Sequence, residues 1–268
     1  MSGSGTGMMG RSLRGFGLFL IYAFVFLPLL LVMVLSFSDD TFLKFPPSGW
    51  SLRWYRALLS DSKFLAAAGV SLTVALIVVA ISLIVGVPAA IALARRRLPL
   101  SGAIETLLLA PLILPTIVIG LSILLVFSQV RLSASYPGLV LAHLAITLPF
   151  TVRILTTTLR TLPPDIEAAA GTLGAGPWST FRLVTLPLMA PGIMAAAALA
   201  FILSFDEVVI SLFVAGPRLT TLPVEIYRYV HERTDPFVSA VSVVLILLTM
   251  LVVVLVERSV GLMKSLGK

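Results

Sequence analysis

Long apolar segments separated by short polar ones make up most of this chain. A helix needs about 20 apolar residues to cross the hydrocarbon core of a bilayer. Several segments meet this requirement, at about 15–37, 66–94, 104–128, 138–157, 188–214 and 237–257. The pattern predicts an all-α polytopic membrane protein, with six transmembrane helices in one domain over residues 1–268.

The composition agrees with a membrane protein and excludes several other classes. Of 268 residues, 59% are hydrophobic and only 12% are charged, and the mean hydropathy is +1.10, which no soluble globular domain of this length shows. The chain has no cysteine, so disulfides and thiolate metal sites are excluded. The net charge of +7 lacks the basic runs interleaved with aromatic residues that bind nucleic acid.

The basic residues also predict the orientation in the membrane. Arg95, Arg96 and Arg97 directly follow the second apolar segment, and basic residues concentrate in cytoplasmic loops. The first segment is too long for a signal peptide and no small-residue cleavage site follows it, so we expect it to be a retained span. With an even number of spans, both termini are expected in the cytoplasm.

The stretch at 163–187 between the fourth and fifth segments has a different pattern. Two prolines are followed by Asp165 and Glu167, which favour a helix N-terminus. Apolar residues then recur at i, i+3, i+4 and i+7 and form one face: Ile166, Ala169, Ala170 and Leu173. Gly174 is suited to end this first helix.

A second, shorter helix is predicted directly afterwards. Pro177 suits a first helical position. Trp178, Phe181 and Val184 recur at three-residue steps, and we expect Pro187 to close the helix. A compact helix pair with an apolar face outside the bilayer is expected to contact a partner protein.

Residues that could carry catalysis are scarce. The two histidines, His143 and His231, fall in the fourth segment and in an outer loop, so no paired metal site is expected. We expect His143 to be packed or hydrogen-bonded inside the helix bundle. The sequence has no P-loop, G-x-S-x-G or H-E-x-x-H motif, so we expect a protein that is not an enzyme and binds no nucleotide itself.

Two adjacent carboxylates, Asp206 and Glu207, lie inside the fifth apolar segment. An aspartate near the bilayer centre costs about 2.5–3.5 kcal/mol, so such residues usually face the bundle interior or a water path. One interpretation is a point that attracts cations on a translocation route. The other is a structural carboxylate that pairs with an arginine or a helix N-terminus.

The 163–187 stretch resembles the signature loop of type I ABC importer permeases. That signature is Glu-Ala-Ala, three residues, Gly, nine residues, Ile, one residue and Leu-Pro. With the glycine aligned to Gly174, the two alanines fall on Ala169 and Ala170. The Leu-Pro ending falls on Leu186 and Pro187.

One position departs from that signature. The family's glutamate falls on Ala168, and the acid of this chain precedes it at Glu167. A shift of one residue turns a side chain by about 100° around a helix. The resemblance assigns both positions, with Ala169, Ala170, Gly174 and the Leu-Pro pair, to coupling with an ATPase, within a cytoplasmic coupling-helix loop over residues 158–187.

The resemblance also implies the partners and the location. In this family the loop seats in a groove on a separate ABC ATPase, and two ATPases drive two permeases. We therefore expect a second permease, two ATPases and an external or periplasmic solute-binding protein, all at the bacterial cytoplasmic (inner) membrane. No cofactor is expected in this chain, since ATP and Mg²⁺ would bind the ATPases. Lipid is an expected contact and nucleic acid is not.

Over nearly the whole chain the sequence is most similar to spermidine/putrescine permeases. The blocks that carry this similarity are Trp54-Tyr55, Leu148-Pro149-Phe150, 204–211, 216–217 and 222–227. The similarity implies a polyamine solute, and we expect Phe205, Asp206 and Glu207 to line its path, where the ring could add a cation–π contact. Permeases for phosphonates, ferric ion and amino-acid-like solutes share parts of these blocks and remain alternatives. An ion-gradient-driven secondary transporter is a further one.

Overall fold

A computed structural model of the protein describes residues 5–95 and 101–266. Within these ranges the chain is helical apart from connecting loops and two isolated β-bridges. Arg96 and Arg97 lie outside the described residues, so the orientation they indicate stays a prediction.

Twelve helices occur in the described ranges. In chain order they are α1 (Gly5–Ser36), α2 (Arg53–Ser60), α3 (Ser62–Arg95), α4 (Ser101–Leu109), α5 (Thr116–Gln129), α6 (Tyr136–Thr161), α7 (Asp165–Thr172), α8 (Pro177–Thr180), α9 (Leu186–Phe205), α10 (Val209–Val214), α11 (Leu222–Glu232) and α12 (Phe237–Leu266).

Five continuous helical stretches in the described residues are long and apolar enough to cross a membrane. They are Gly15–Ser36, Ser62–Arg95, Tyr136–Thr161, Pro177–Phe205 and Phe237–Leu255. The pair formed by α4 and α5 adds a sixth if it is counted as one bent span. The prediction of an all-α polytopic membrane fold is confirmed.

The third predicted span is not a straight helix. Instead of one helix over 104–128, α4 runs into a short 3₁₀ turn, Ala110–Leu112, and α5 leaves at a bend of 95°. Pro111 lies in that turn and Pro115 directly precedes α5. A proline donates no backbone hydrogen bond and disfavours helical geometry in the residue before it, so the bend falls between the two prolines.

The fifth predicted span, 188–214, differs from the structure at both ends. The spanning helix begins and ends earlier in the chain, and residues 206–208 separate it from the short helix α10. The helix already begins at Pro177, passes through a π-helical turn at Phe181–Thr185 and ends at Phe205. The expectation that Pro187 closes a separate helix is therefore wrong. A π turn is a wider turn of the helix, and placed just before Pro187 it accommodates the proline within a continuing helix.

The chain divides into two compact units. The first consists of Met1–Asp61 and Tyr229–Leu247. Within it, the hydroxyl of Tyr55 on α2 donates to Ser36 at 2.7 Å, and the Trp54 ring contacts the Phe237 ring edge-on at 6.5 Å between centroids. These contacts hold α2 within its own unit.

The second unit consists of Ser62–Arg228 and Leu248–Lys268. Its centre is formed by α3, α6 and α9, each of which packs against the other two. Buried apolar side chains fill two clusters along these helices and α10: Val74, Val78, Leu139, Val140, Ala142, Ile210 and Val214, then Ala90, Leu155, Leu159, Met189 and Ala196.

Two glycines allow α3 and α9 to approach α6 closely. A Cβ atom added at Gly86 of α3 would lie 2.9 Å from the Thr151 methyl group of α6. One added at Gly192 of α9 would collide with Thr158 of α6. Small residues at such contacts let helix backbones pack tightly in membranes.

We expect Gly86→Val to destabilise the protein by about 1–3 kcal/mol, because overpacking a tight contact forces the helices apart. Gly69→Val is the matched control, since Gly69 lies on the same helix with no atom within 4 Å of an added Cβ. Thermal unfolding of the purified protein in detergent should show a lower Tm for the first variant only. Equal Tm values would contradict the assigned contact.

Candidate functional site

The stretch at 163–187, called the helical loop below, contains α7 and α8. Helix α7 begins at Asp165, and Gly174 has a φ of +86°, in the left-handed region that favours glycine. Helix α8 begins with Pro177 at its first position. The predicted start and stop of the first helix and the start of the second are confirmed.

The apolar side chains of the helical loop are largely exposed. Leu173 is 89% exposed and Trp178 is 69% exposed, and Ile166 and Leu183 are exposed as well. Trp178 also packs against Phe181, with ring centroids 5.4 Å apart. The helical loop therefore presents an apolar surface, and its assignment to a partner stays a prediction.

Glu167 ties the helical loop to three helices. Its carboxylate pairs with Arg95 at the end of α3, with Nε 3.2 Å from Oε2, and accepts a hydrogen bond of 3.1 Å from the hydroxyl of Thr185 just before α9. Arg95 donates in turn to the carbonyl of Leu162 at the end of α6, at 3.2 Å. These bonds fix the loop to the ends of α3 and α6 and to the start of α9.

This arrangement gives Glu167 an internal role that the sequence did not reveal. Its side chain is 25% exposed, whereas Ala168 and Ala169 are exposed on the outer side of α7. From the sequence, the partner residue Arg95 was interpreted only as a sign of which membrane side is cytoplasmic. That residue lies 72 positions away in sequence, and no local spacing pattern links the two.

An open cavity of about 730 Å³ lies beside this tie. Arg95 and Glu167 line it, together with Pro88 and Ile91 of α3 and with Trp178 of α8. The cavity therefore lies between α3 and the helical loop.

The second candidate site is the break between α9 and α10, residues 206–208. Asp206 follows directly on Phe205, the last residue of α9, and is exposed. Among the described residues its side chain makes no hydrogen bond or ion pair, whereas the Glu207 carboxylate accepts from the backbone N–H of Ile210 at 2.9 Å. The structural interpretation of the two acids thus fits Glu207, which caps α10, and leaves Asp206 available.

His143 of α6 spans this break. Its Nδ1 lies 2.9 Å from the hydroxyl of Ser204 on α9, and its Nε2 lies 2.9 Å from the hydroxyl of Ser211 on α10. All three side chains are buried. The expectation of a hydrogen-bonded histidine inside the bundle is confirmed, but the sequence did not indicate which residues it joins.

The predicted site residues therefore fall into two groups. Leu186 and Pro187 begin α9 next to the helical loop, and Phe205, Asp206 and Glu207 lie at its other end. At 1.5 Å per residue, a helix of 20 residues separates the two groups by about 30 Å. The roles assigned to these residues stay predictions.

Apolar helices of spanning length, with an exposed helical loop between two of them, define a multi-span membrane protein. Residues 83–264 match the family described as "Binding-protein-dependent transport system inner membrane component". The chain belongs to this family and is a multi-pass permease of an ABC importer in the inner membrane. It is therefore a transport component. The family assignment excludes the alternative of an ion-gradient-driven secondary transporter.

Relatives of known assignment are similar over most of the chain. The putrescine transport system permease protein PotI of Escherichia coli K12 is 34% identical over 236 residues, 85% of this chain and 84% of the relative. The spermidine/putrescine transport system permease protein PotC of the same organism is 32% identical, covering 92% and 93%. A putative 2-aminoethylphosphonate permease, PhnV of Salmonella typhimurium LT2, is also 32% identical, covering 93% of both chains.

Solved structures show the same fold at low sequence identity. A chain of a bacterial ABC transporter that imports alginate has a TM-score of 0.76 at 16% identity, covering 96% of this chain and 99% of that one. A chain of the bacterial alginate transporter in complex with a periplasmic protein bound to an alginate pentasaccharide has a TM-score of 0.65 at 15% identity, covering 94% and 95%.

We expect Glu167→Ala to loosen the helical loop. The variant leaves Arg95, which is only 16% exposed, without its carboxylate partner, at a cost of about 1–3 kcal/mol. Hydrogen exchange measured by mass spectrometry should rise over residues 163–176.

Glu105→Ala is the matched control. It removes the more exposed pair between Arg160 and Glu105, whose side chains are 52% and 32% exposed, and should cost at most about 1 kcal/mol. Equal exchange in the loop of both variants would contradict the role of Glu167.

Proposed function

We propose that this permease forms, with a second permease subunit, the membrane path for a small cationic solute, and that the solute is a polyamine such as putrescine or spermidine. The observation that carries the proposal is the exposed carboxylate of Asp206, without a described partner, in a break of an apolar helix. The similarity to PotI and PotC supports the same solute class.

The proposed energy source is a pair of ABC ATPases on the cytoplasmic side. Their ATP and Mg²⁺ stay on those subunits, and this chain contributes the helical loop. Leu173 and Trp178 offer an apolar surface, and the Arg95–Glu167 pair keeps that surface in a fixed relation to α3 and α9. A displacement of the loop by the ATPases then also moves α3 and α9, because the loop is bonded to both helices.

The proposed solute path passes the break between α9 and α10. The carboxylate of Asp206 attracts an ammonium group, and the ring of Phe205, stacked on Phe201 at 5.4 Å, can add a cation–π contact. An external solute-binding protein would deliver the solute to this path. Glu207 adds a second negative charge beside it while it caps α10.

A 2-aminoethylphosphonate is the second candidate solute, because the relative PhnV has the same sequence identity to this chain as PotC, 32%. This solute carries one ammonium group and an anionic phosphonate. The carboxylate of Asp206 attracts the first group and repels the second, which favours a solute that is cationic at both ends.

Leu173→Glu should reduce co-purification of the ATPase at least about tenfold, a change of about 1.4 kcal/mol, because it places a charge in an apolar contact. Leu59→Glu on α2 is the matched control, since Leu59 is also a strongly exposed leucine and lies outside the helical loop. Equal ATPase recovery with both variants would rule out docking at this surface.

Asp206→Asn should raise the apparent KM for putrescine uptake about tenfold, because it removes the charge that meets the ammonium group at nearly constant shape. ATPase co-purification should stay unchanged. Glu232→Gln removes an exposed charge from α11 and serves as the control. Unaltered uptake kinetics in Asp206→Asn would exclude the proposed solute contact.

A further inference from the structure

We infer that His143 is a positioning residue for the transport site, since it bridges the two helices that flank Asp206 and so determines where that carboxylate lies. The inference rests on the proposed function only in treating Asp206 as the solute contact. The bridge itself is a feature of the fold and can be measured separately.

The position of Asp206 is fixed by contacts that other residues make. Among the described residues, its own side chain has no hydrogen bond or ion pair. The contact of Glu207 with Ile210 is local and fixes only the start of α10. The relative placement of α9 and α10 therefore depends on contacts that reach both helices.

His143 makes such a contact on each side of the break. Ser204 lies in the last turn of α9, two residues before Asp206, and Ser211 lies in α10, five residues after it. One imidazole ring holds both hydroxyls at 2.9 Å. A shift of either helix relative to α6 breaks one of these bonds.

The chemistry of the three side chains makes the bridge complete in either tautomer. A neutral imidazole donates from one nitrogen and accepts at the other, and a serine hydroxyl can do either. His143, Ser204 and Ser211 are all buried, so water does not compete for these groups. Leaving one of them without a partner is therefore unfavourable.

The His143 ring is also carried by a helix, α6, that is itself held in place by packing. Helix α6 packs against both α3 and α9 in the centre of the second unit. The hydroxyl of Thr147 donates to the carbonyl of His143 at 2.9 Å. An apolar ring at position 143 would fill the same space but would hold neither serine, which separates positioning from packing.

Graded variants separate the two bonds. His143→Phe removes both, while His143→Asn keeps an amide near the Nδ1 position and His143→Gln keeps one near the Nε2 position. Ser204→Ala and Ser211→Ala each remove one bond and leave the imidazole in place. If His143→Phe fails to assemble with its partner subunits, these four variants carry the test.

The direct readout is the reactivity of a single thiol. This chain has no cysteine, so the Asp206→Cys substitution gives it one thiol, at the break. We expect His143→Phe to change the rate at which a water-soluble methanethiosulfonate modifies this introduced thiol at least about threefold, with smaller changes in the single-bond variants. Arg56→Cys, on the exposed side of α2, is the control substitution, and its thiol should react at an unchanged rate.

The second readout is uptake of putrescine by the whole complex. With Asp206 present, His143→Phe should raise the apparent KM about tenfold, or about 1.4 kcal/mol, with Vmax much less affected. In the Asp206→Asn background the same substitution should add little, because the carboxylate to be positioned is gone. Asn and Gln at position 143 should restore part of the affinity.

The outcomes distinguish this inference from the proposed function. Unchanged thiol reactivity in every variant overturns the positioning role, whatever the uptake shows. A fall in Vmax at constant KM, with the reactivity of the thiol at position 206 unaltered, assigns His143 to packing alone and also overturns it. If Asp206→Asn leaves uptake unchanged while reactivity responds to His143, the solute contact fails and the positioning role stands.

Discussion

The close packing of α6 against α3 and α9 is the constraint on which both candidate sites depend. Gly86 and Gly192 let the three backbones approach, and threonines of α6 fill the contact. The helical loop is attached to the ends of all three helices through Glu167, Arg95 and their partners. The break is attached to the same unit through the His143 ring. A change in the packing of α6 would therefore displace residues at both ends of α9, in the helical loop and at the break.

This shared attachment gives a physical account of coupling between the two sites. Helix α9 begins at the helical loop and ends at Phe205, directly before Asp206, and it is one continuous helix over that length. Under the proposed function, a displacement of the loop would move α9 and with it the break, because α9 is continuous between them and the loop is bonded to its start. Leu173 and Leu183 are strongly exposed on the helical loop, and that apolar surface is the one proposed to receive the ATPase. The coupling then requires no element beyond helix packing and a few polar bonds.

The sequence predicted much of the architecture because apolar length and turn chemistry are local signals. The apolar spans, the start of α7 at Asp165 and the left-handed Gly174 follow from such signals. Pro111 and Pro115 mark the place of the bend before α5, but hydropathy does not give its angle of 95°. The continuation of a helix through Pro187 was not predicted, since a π turn has no sequence signature. Arg95 is 72 positions from Glu167, and Ser204 and Ser211 are more than 60 positions from His143. Only the packing of the helices brings these side chains together. The transport class was predicted from a family resemblance carried by the spacing within the loop, and the assignment of a solute to the side chains at the break stays a proposal.

The measurement that tests this account most directly is site-specific photo-cross-linking from position 173 in the assembled transporter in its native membrane. A photoreactive residue in place of Leu173 should form an adduct with the ATPase subunit, and the yield should change between nucleotide-free and ATP-bound states. Adducts with lipid alone, or labelling of position 173 by a membrane-impermeant reagent from the external side, would contradict the account.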